Sequence, residues 1–158
     1  MTVFIMWVTD IHAGDKPSGT ERINVSAETL VSDSQSKCAE FIGNVRVTQG
    51  NTVITSDKLR IFYKEKSETG IKKIVADGNV KIKFDDKTAE TNQAVYTTDD
   101  EILILSGDGS KVTTGKDSVS GSKIILYRAE GRVKVEGNSD KPVEAVIYPG
   151  DKGIIKND

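Results

Sequence analysis

Ile54-Thr55-Ser56-Asp57-Lys58-Leu59-Arg60-Ile61-Phe62-Tyr63 opens with an apolar residue, passes through small and polar ones, and reaches a second apolar residue five positions on. It then alternates. In a straight strand Ile54 and Leu59 have opposite parity and point to opposite faces of a sheet. The same unit recurs as Val25-Ser26-Ala27-Glu28-Thr29-Leu30, Ala89-Glu90-Thr91-Asn92-Gln93-Ala94 and Val119-Ser120-Gly121-Ser122-Lys123-Ile124. Both outer positions are apolar in every copy. A bend or bulge between them returns both to one face, and the small middle residues Ala27, Ser56, Thr91 and Gly121 suit such a corner. The copies start at positions 25, 54, 89 and 119, which makes them 29, 35 and 30 residues apart.

A second unit lies between these copies. It reads Ile42-Gly43-Asn44-Val45, Asp77-Gly78-Asn79-Val80, a looser Gly107-Asp108-Gly109-Ser110-Lys111-Val112, and Glu130-Gly131-Arg132-Val133. Its glycine fits a further kink, where a missing Cβ lets the chain turn. Flanking runs such as Val45-Arg46-Val47, Val80-Lys81-Ile82-Lys83-Phe84 and Val133-Lys134-Val135 alternate apolar and polar, as strands of an antiparallel sheet with one wet face do. Turn signals separate them at Gln49-Gly50-Asn51, Asp85-Asp86-Lys87, Thr98-Asp99-Asp100 and Gly137-Asn138-Ser139. Lys64-Glu65-Lys66-Ser67-Glu68-Thr69-Gly70 reads as a long hairpin loop, with a helical turn over Lys64 to Glu68 as the alternative.

Composition agrees. The chain has 16 Val and 16 Ile against 5 Leu, with 14 Thr. β-Branched side chains lose rotamer freedom in a helix and pack well on a pleated surface. The expectation is an all-β domain of stacked repeats, each about 30 residues of short, bent strands that need their neighbours to complete the core. The 158 residues suit one domain. That domain is assigned to residues 22–148. Residues 1–13, with the apolar run Val3–Val8 and a small Ala13, read as the remnant of a secretory signal. An extra strand or a tail is the alternative. Residues 149–158 are assigned as a C-terminal tail.

The chemistry of the chain points away from several classes. Twenty-two basic residues face 24 acidic ones, for a net charge of −2, and no basic stripe offers itself to nucleic acid. The single cysteine, Cys38, and the single histidine, His12, make neither a nucleophile–base pair nor a metal cluster. Asp85-Asp86 and Asp99-Asp100 read as turn residues rather than calcium ligands. The reading is therefore non-enzymatic, without cofactor or metal. What is left is the set expected to face inward: Val25, Leu30, Phe41, Val45, Val47, Ile54, Leu59, Ile61, Tyr63, Val80, Ile82, Phe84, Ile124, Leu126, Val133 and Val135. Either these residues form a packed core, or they line an apolar groove that accepts acyl chains.

Phe41-Ile42-Gly43-Asn44-Val45-Arg46-Val47 followed by the 54–63 segment resembles the core of the LptA/OstA-like family. So do Ile74-Val75-Ala76-Asp77-Gly78-Asn79-Val80, Ala94-Val95-Tyr96 and Glu130-Gly131-Arg132-Val133-Lys134-Val135-Glu136-Gly137. The resemblance covers about residues 22–137. It implies an elongated, twisted β-jelly-roll of repeated short antiparallel strands, open at the ends. It also implies a periplasmic carrier that binds lipopolysaccharide acyl chains in the groove formed by the inward set. The implied partners are the lipid A acyl chains, LptC-like inner-membrane and LptD-like outer-membrane domains engaged through edge strands, and further copies of the chain arranged head to tail. The alternative is a structural or adhesin-like β-repeat protein with a packed core.

Overall fold

A computed structural model describes residues 22–65 and 70–149; residues 1–21, with His12 and the expected signal remnant, residues 66–69 of the expected hairpin loop, and residues 150–158 of the expected C-terminal tail lie outside the described residues. Ten strands and no helix are found among the described residues, all paired antiparallel. Six long strands form a meander: β3 (Cys38–Gln49), β4 (Thr52–Tyr63), β5 (Ile71–Phe84), β6 (Lys87–Thr97), β7 (Ile102–Thr114) and β8 (Asp117–Tyr127). Short strands flank it. β1 (Asn24–Ser26) and β2 (Thr29–Asp33) both pair with β3, while β9 (Arg132–Glu136) and β10 (Glu144–Val146) both pair with β8.

Every long strand is bent midway, where the register shifts. The breaks fall between Ile42 and Val45, Thr55 and Lys58, Asp77 and Val80, Glu90 and Gln93, and Ser106 and Ser110. The line of breaks divides the sheet into two halves. The first half carries β2, β9 and pairs such as Leu59↔Ala76 and Leu105↔Ile124. The second carries β1, β10 and pairs such as Ile54↔Ile82 and Val112↔Val119. Because bent strands return both apolar positions to one face, the buried side chains of the two halves form one core. This is the stack of bent strands expected from the repeat, in the jelly-roll form that the family resemblance implies.

The corner has a repeated construction. The fourth residue of the first unit is Glu28, Asp57, Asn92 or Ser122, and it reaches the next strand. Asn44 donates to Glu28 at 2.5 Å, and Asn79 donates to Asp57 at 2.8 Å. Ser122 donates to the Glu136 carbonyl at 3.0 Å. Glu28, Asp57 and Asn92 occupy the space that a Cβ would take on Gly43, Gly78 and Gly107. Those glycines have positive φ, as do Asn44 and Asn79, and Asn is among the few non-glycine residues that tolerate it. Ser56, Thr91 and Ser110 are buried just inside the corner, with hydroxyl groups bonded to nearby carbonyls.

One unit needs correction. Gly131 does not mark a corner. It lies in the turn between β8 and β9, where its N–H bonds to the Arg128 carbonyl at 3.2 Å. Gly137-Asn138-Ser139 turns the chain from β9 toward β10, with the Asn138 N–H bonding to the Lys141 carbonyl at 2.8 Å. The Asn138 side chain accepts N–H groups of Asp140 and Lys141. Between β4 and β5, the Lys64 N–H bonds to the Gly70 carbonyl at 3.0 Å.

Candidate functional site

Strand pairing lines up the inward residues into ladders that run the length of the sheet. One reads Leu30–Phe41–Leu59–Ala76–Ala94–Leu105–Ile124–Val135. Beside it in the same half runs Ser32–Ala39–Ile61–Ile74–Tyr96–Leu103–Leu126–Val133. The other half supplies Val25–Val47–Ile54–Ile82–Ala89–Val112–Val119–Ala145. All but Ser32 are apolar or aromatic. The interior is thus a nearly continuous apolar seam, and it ends in the second half on a buried polar row of Gln49, Thr52, Thr114 and Asp117.

Of the sixteen residues expected to face inward, Val45, Val47, Ile54, Leu59, Ile61, Val80, Ile82 and Ile124 are buried. Val25, Phe41, Phe84, Leu126 and Val135 are half-buried against them. Leu30, Tyr63 and Val133 are exposed, at 58%, 43% and 49%. Leu30 and Val133 occupy inner-ladder positions on the outermost strands, where no further strand covers them. Tyr63 lies at the end of β4. The seam is closed in this state. Its centre, lined by Ile54, Leu59, Ala76, Ile82, Ala94 and Leu103 among others, holds a cavity of about 20 Å³. A single water needs about 10–15 Å³, so this cavity has room for little more than one water.

Several seam residues escaped the sequence reading. Leu103 and Leu105 lie in Ile102-Leu103-Ile104-Leu105, where outward neighbours are also apolar and alternation is hidden. The same holds for Ile74 and Ala76 around Val75. Ala89 and Ala94 belong to a quoted repeat, but alanine is a weak core signal. Tyr96 is buried, and its phenol pKa is raised, first by that burial and against the opposing pull of Arg128.

Among the described residues no three His, Cys, Asp or Glu side chains gather as a metal would require. No described helix is long and apolar enough to cross a membrane. Cys38 is half-buried. Burial raises its pKa, with the Glu40 carboxylate adding to the effect. Because the thiolate is the reactive form, alkylation of Cys38 by iodoacetamide at pH 8 should run slower in the folded chain than in urea. Equal rates in both states would contradict the described environment.

The family described as LptA/(LptD N-terminal domain) LPS transport protein matches residues 24–132. No curated protein matches the chain. A solved structure, that of LptH from Pseudomonas aeruginosa, is similar in fold, with a TM-score of 0.69 and 19% identity. The match covers 82% of this chain and 96% of that one. LptH is described as the LptA-homologous periplasmic component of the conserved lipopolysaccharide transport device.

Proposed function

This chain belongs to the LptA/LptD N-terminal domain family of LPS transport proteins, and we propose that it is a periplasmic carrier which takes lipopolysaccharide acyl chains between its two half-sheets. The observation that carries the reading is the set of aligned inner ladders, apolar nearly throughout, in a sheet left open at both ends. Backbone pairing runs within each half, so the halves are held to each other by the bent strands at the corner and by apolar packing. Acyl chains can replace that packing with packing of the same kind. Each CH₂ removed from water contributes about 0.8 kcal/mol, and no catalytic group is required.

Strand direction supports a bridging role. β1 and β2 run from the second half to the first, while β9 and β10 run from the first to the second. A copy stacked on the end with its halves aligned would set β1 against β10 and β2 against β9, antiparallel in both cases. Exposed edges pair in this way, and the two unlike ends make the contact head to tail. Val135 of one copy would then meet Leu30 of the next, which continues the seam and covers apolar side chains now exposed. Related domains of inner- and outer-membrane partners could use the same edges.

The test is photo-cross-linking. A benzophenone side chain at Ile54, Ile61, Phe84 or Leu126 is expected to capture lipopolysaccharide, whereas one at the outward Lys81 or Lys111 is not. Silence at all four inward sites in folded protein would end the carrier reading and favour a packed structural repeat. For the bridging step, light scattering should show mass rising with concentration in the native chain. Leu30→Asp should hold it near the monomer, because the substitution would bury a charge in the contact.

A further inference from the structure

The two half-sheets are built unequally. In the first half, the turns between β2 and β3, β4 and β5, β6 and β7, and β8 and β9 stand in a row at the free tip, and each is tied to the next. Tyr63 N–H bonds to the Lys37 carbonyl at 2.9 Å, and Lys37 pairs with Glu65. Thr98 donates its N–H to the Lys72 carbonyl at 3.1 Å and its hydroxyl to the Ile71 carbonyl at 2.9 Å, and Lys64 pairs with Asp99 at 2.7 Å. Arg128 N–H bonds to the Glu101 carbonyl at 3.1 Å. The outer face of this half is packed as well. Its ladder Arg60–Val75–Val95–Ile104–Ile125 is apolar beyond Arg60. Val75 and Ile125 are only 4% and 8% exposed, although they lie outside the core. Asp77 accepts bonds from Arg60 at 2.8 Å and Gln93 at 2.6 Å. Lys73 lies over the Phe62 ring at 4.7 Å, and Arg132 over the Tyr127 ring at 4.0 Å, each reaching across to the neighbouring strand.

The second half is held from its inner face alone. Its outer ladder Arg46–Thr55–Lys81–Glu90–Lys111–Ser120–Glu144 is polar throughout. The ion pair on it, Lys81–Glu90 at 3.1 Å, has both side chains about half exposed and contributes little. Among the described residues, no bond or ion pair joins the turns at Gly50-Asn51, Asp85-Asp86 and Gly115-Lys116 to one another. The inner tip of this half works against closure. Thr52 and Thr114 are 1% and 5% exposed, and their hydroxyl groups have no hydrogen-bond partner among the described residues. A hydroxyl buried in this way loses its bond to water and gains none. Opening restores that bond. From these differences we propose that the line of corners is a boundary of stability inside every long strand: the second half yields as a unit, its ladders loosening and hydrating Thr52 and Thr114, while the first half stays paired. Proteins open in such contiguous units, and those with the fewest buried contacts open first. The register breaks supply the boundary. Between β6 and β7, Thr91 and Asn92 stand opposite the four residues from Gly107 to Ser110, so the ladder is interrupted there and loosening on one side is not passed to the other.

Amide hydrogen exchange of the full chain, followed by NMR, tests this within single strands. β5, β6 and β7 have a neighbour on each side in both halves, so edge effects do not enter. Exchange at Ile82, Ala89 and Val112 in the second half is expected to run about five- to thirtyfold faster than at Ile74, Ala94 and Leu105 in the first, the ratio that a modest difference in local stability produces. Equal rates in the two groups, or slower exchange in the second half, would overturn the boundary. The second measurement repeats the exchange in T52V/T114V, which keeps the shape of both side chains and removes the buried hydroxyl groups. Exchange at Ile82, Ala89 and Val112 should slow about fivefold or more, and exchange at Ile74, Ala94 and Leu105 should stay as it was. Slowing of both groups alike would show one cooperative unit in place of two, and no slowing at all would remove Thr52 and Thr114 from the device. Neither measurement uses a lipid, so both stand whether or not the chain carries one.

Discussion

Leu105→Ala is expected to remove about 3–5 kcal/mol from the stability of the fold, the range for large-to-small changes at sites that cannot collapse. Leu105 is fully buried. It sits between Ala94 and Ile124 on the inner ladder that runs from Leu30 to Val135, opposite no side chain bulky enough to fill its place on the Ala94 side. Ala94 already borders the central cavity, so the truncation would enlarge an existing void. Neighbouring backbone is held by ladder bonds on both sides, which limits relaxation. Urea denaturation measures the loss as a fall in midpoint at constant slope. A change below about 1 kcal/mol, within the ordinary range for single substitutions, would mean that the seam is not packed as described.

The second large effect is expected at the corner. Gly78→Ala should cost about 2–4 kcal/mol, the sum of two penalties. Gly78 has φ +79°, where an L side chain is strained. Its new Cβ would lie 2.4 Å from Asp57 Oδ2, forcing the carboxylate out and breaking its bond from Asn79. Gly109 separates the two penalties. Its φ is +81°, yet nothing lies within 4 Å of a Cβ placed there. Gly109→Ala should therefore cost only the backbone strain, about 1–2 kcal/mol. Adding Asp57→Ala to Gly78→Ala should show non-additivity of about 0.5 kcal/mol or more, as groups in contact do. Equal costs at Gly78 and Gly109 would show that the Asp57 clasp holds nothing.

These two sites show where the sequence was legible. Corner spacing was visible because parity is strict in a strand: Ile54 and Leu59 cannot share a face unless the chain bends between them. Leu105 was hidden because its outward neighbours Ile102 and Ile104 are apolar too, and periodicity reports a difference between faces, not burial itself. The Asp57–Gly78 clasp was hidden for another reason. It joins residues 21 positions apart whose encounter depends on register, although both had been placed at corners.

By itself, then, the order of residues determined that this protein is all-β, that its strands bend at fixed points, and that repeats stack with apolar positions inward. These are local properties, written in β-branched content, parity and glycine placement. Only the tertiary structure decided that Gly131 lies in a turn and not at a corner, since a turn and a corner both accept glycine and differ only in what the next strand pairs with. Only it decided that Leu30 and Val133 are exposed, because an inward direction buries a side chain only where another strand stands beside it.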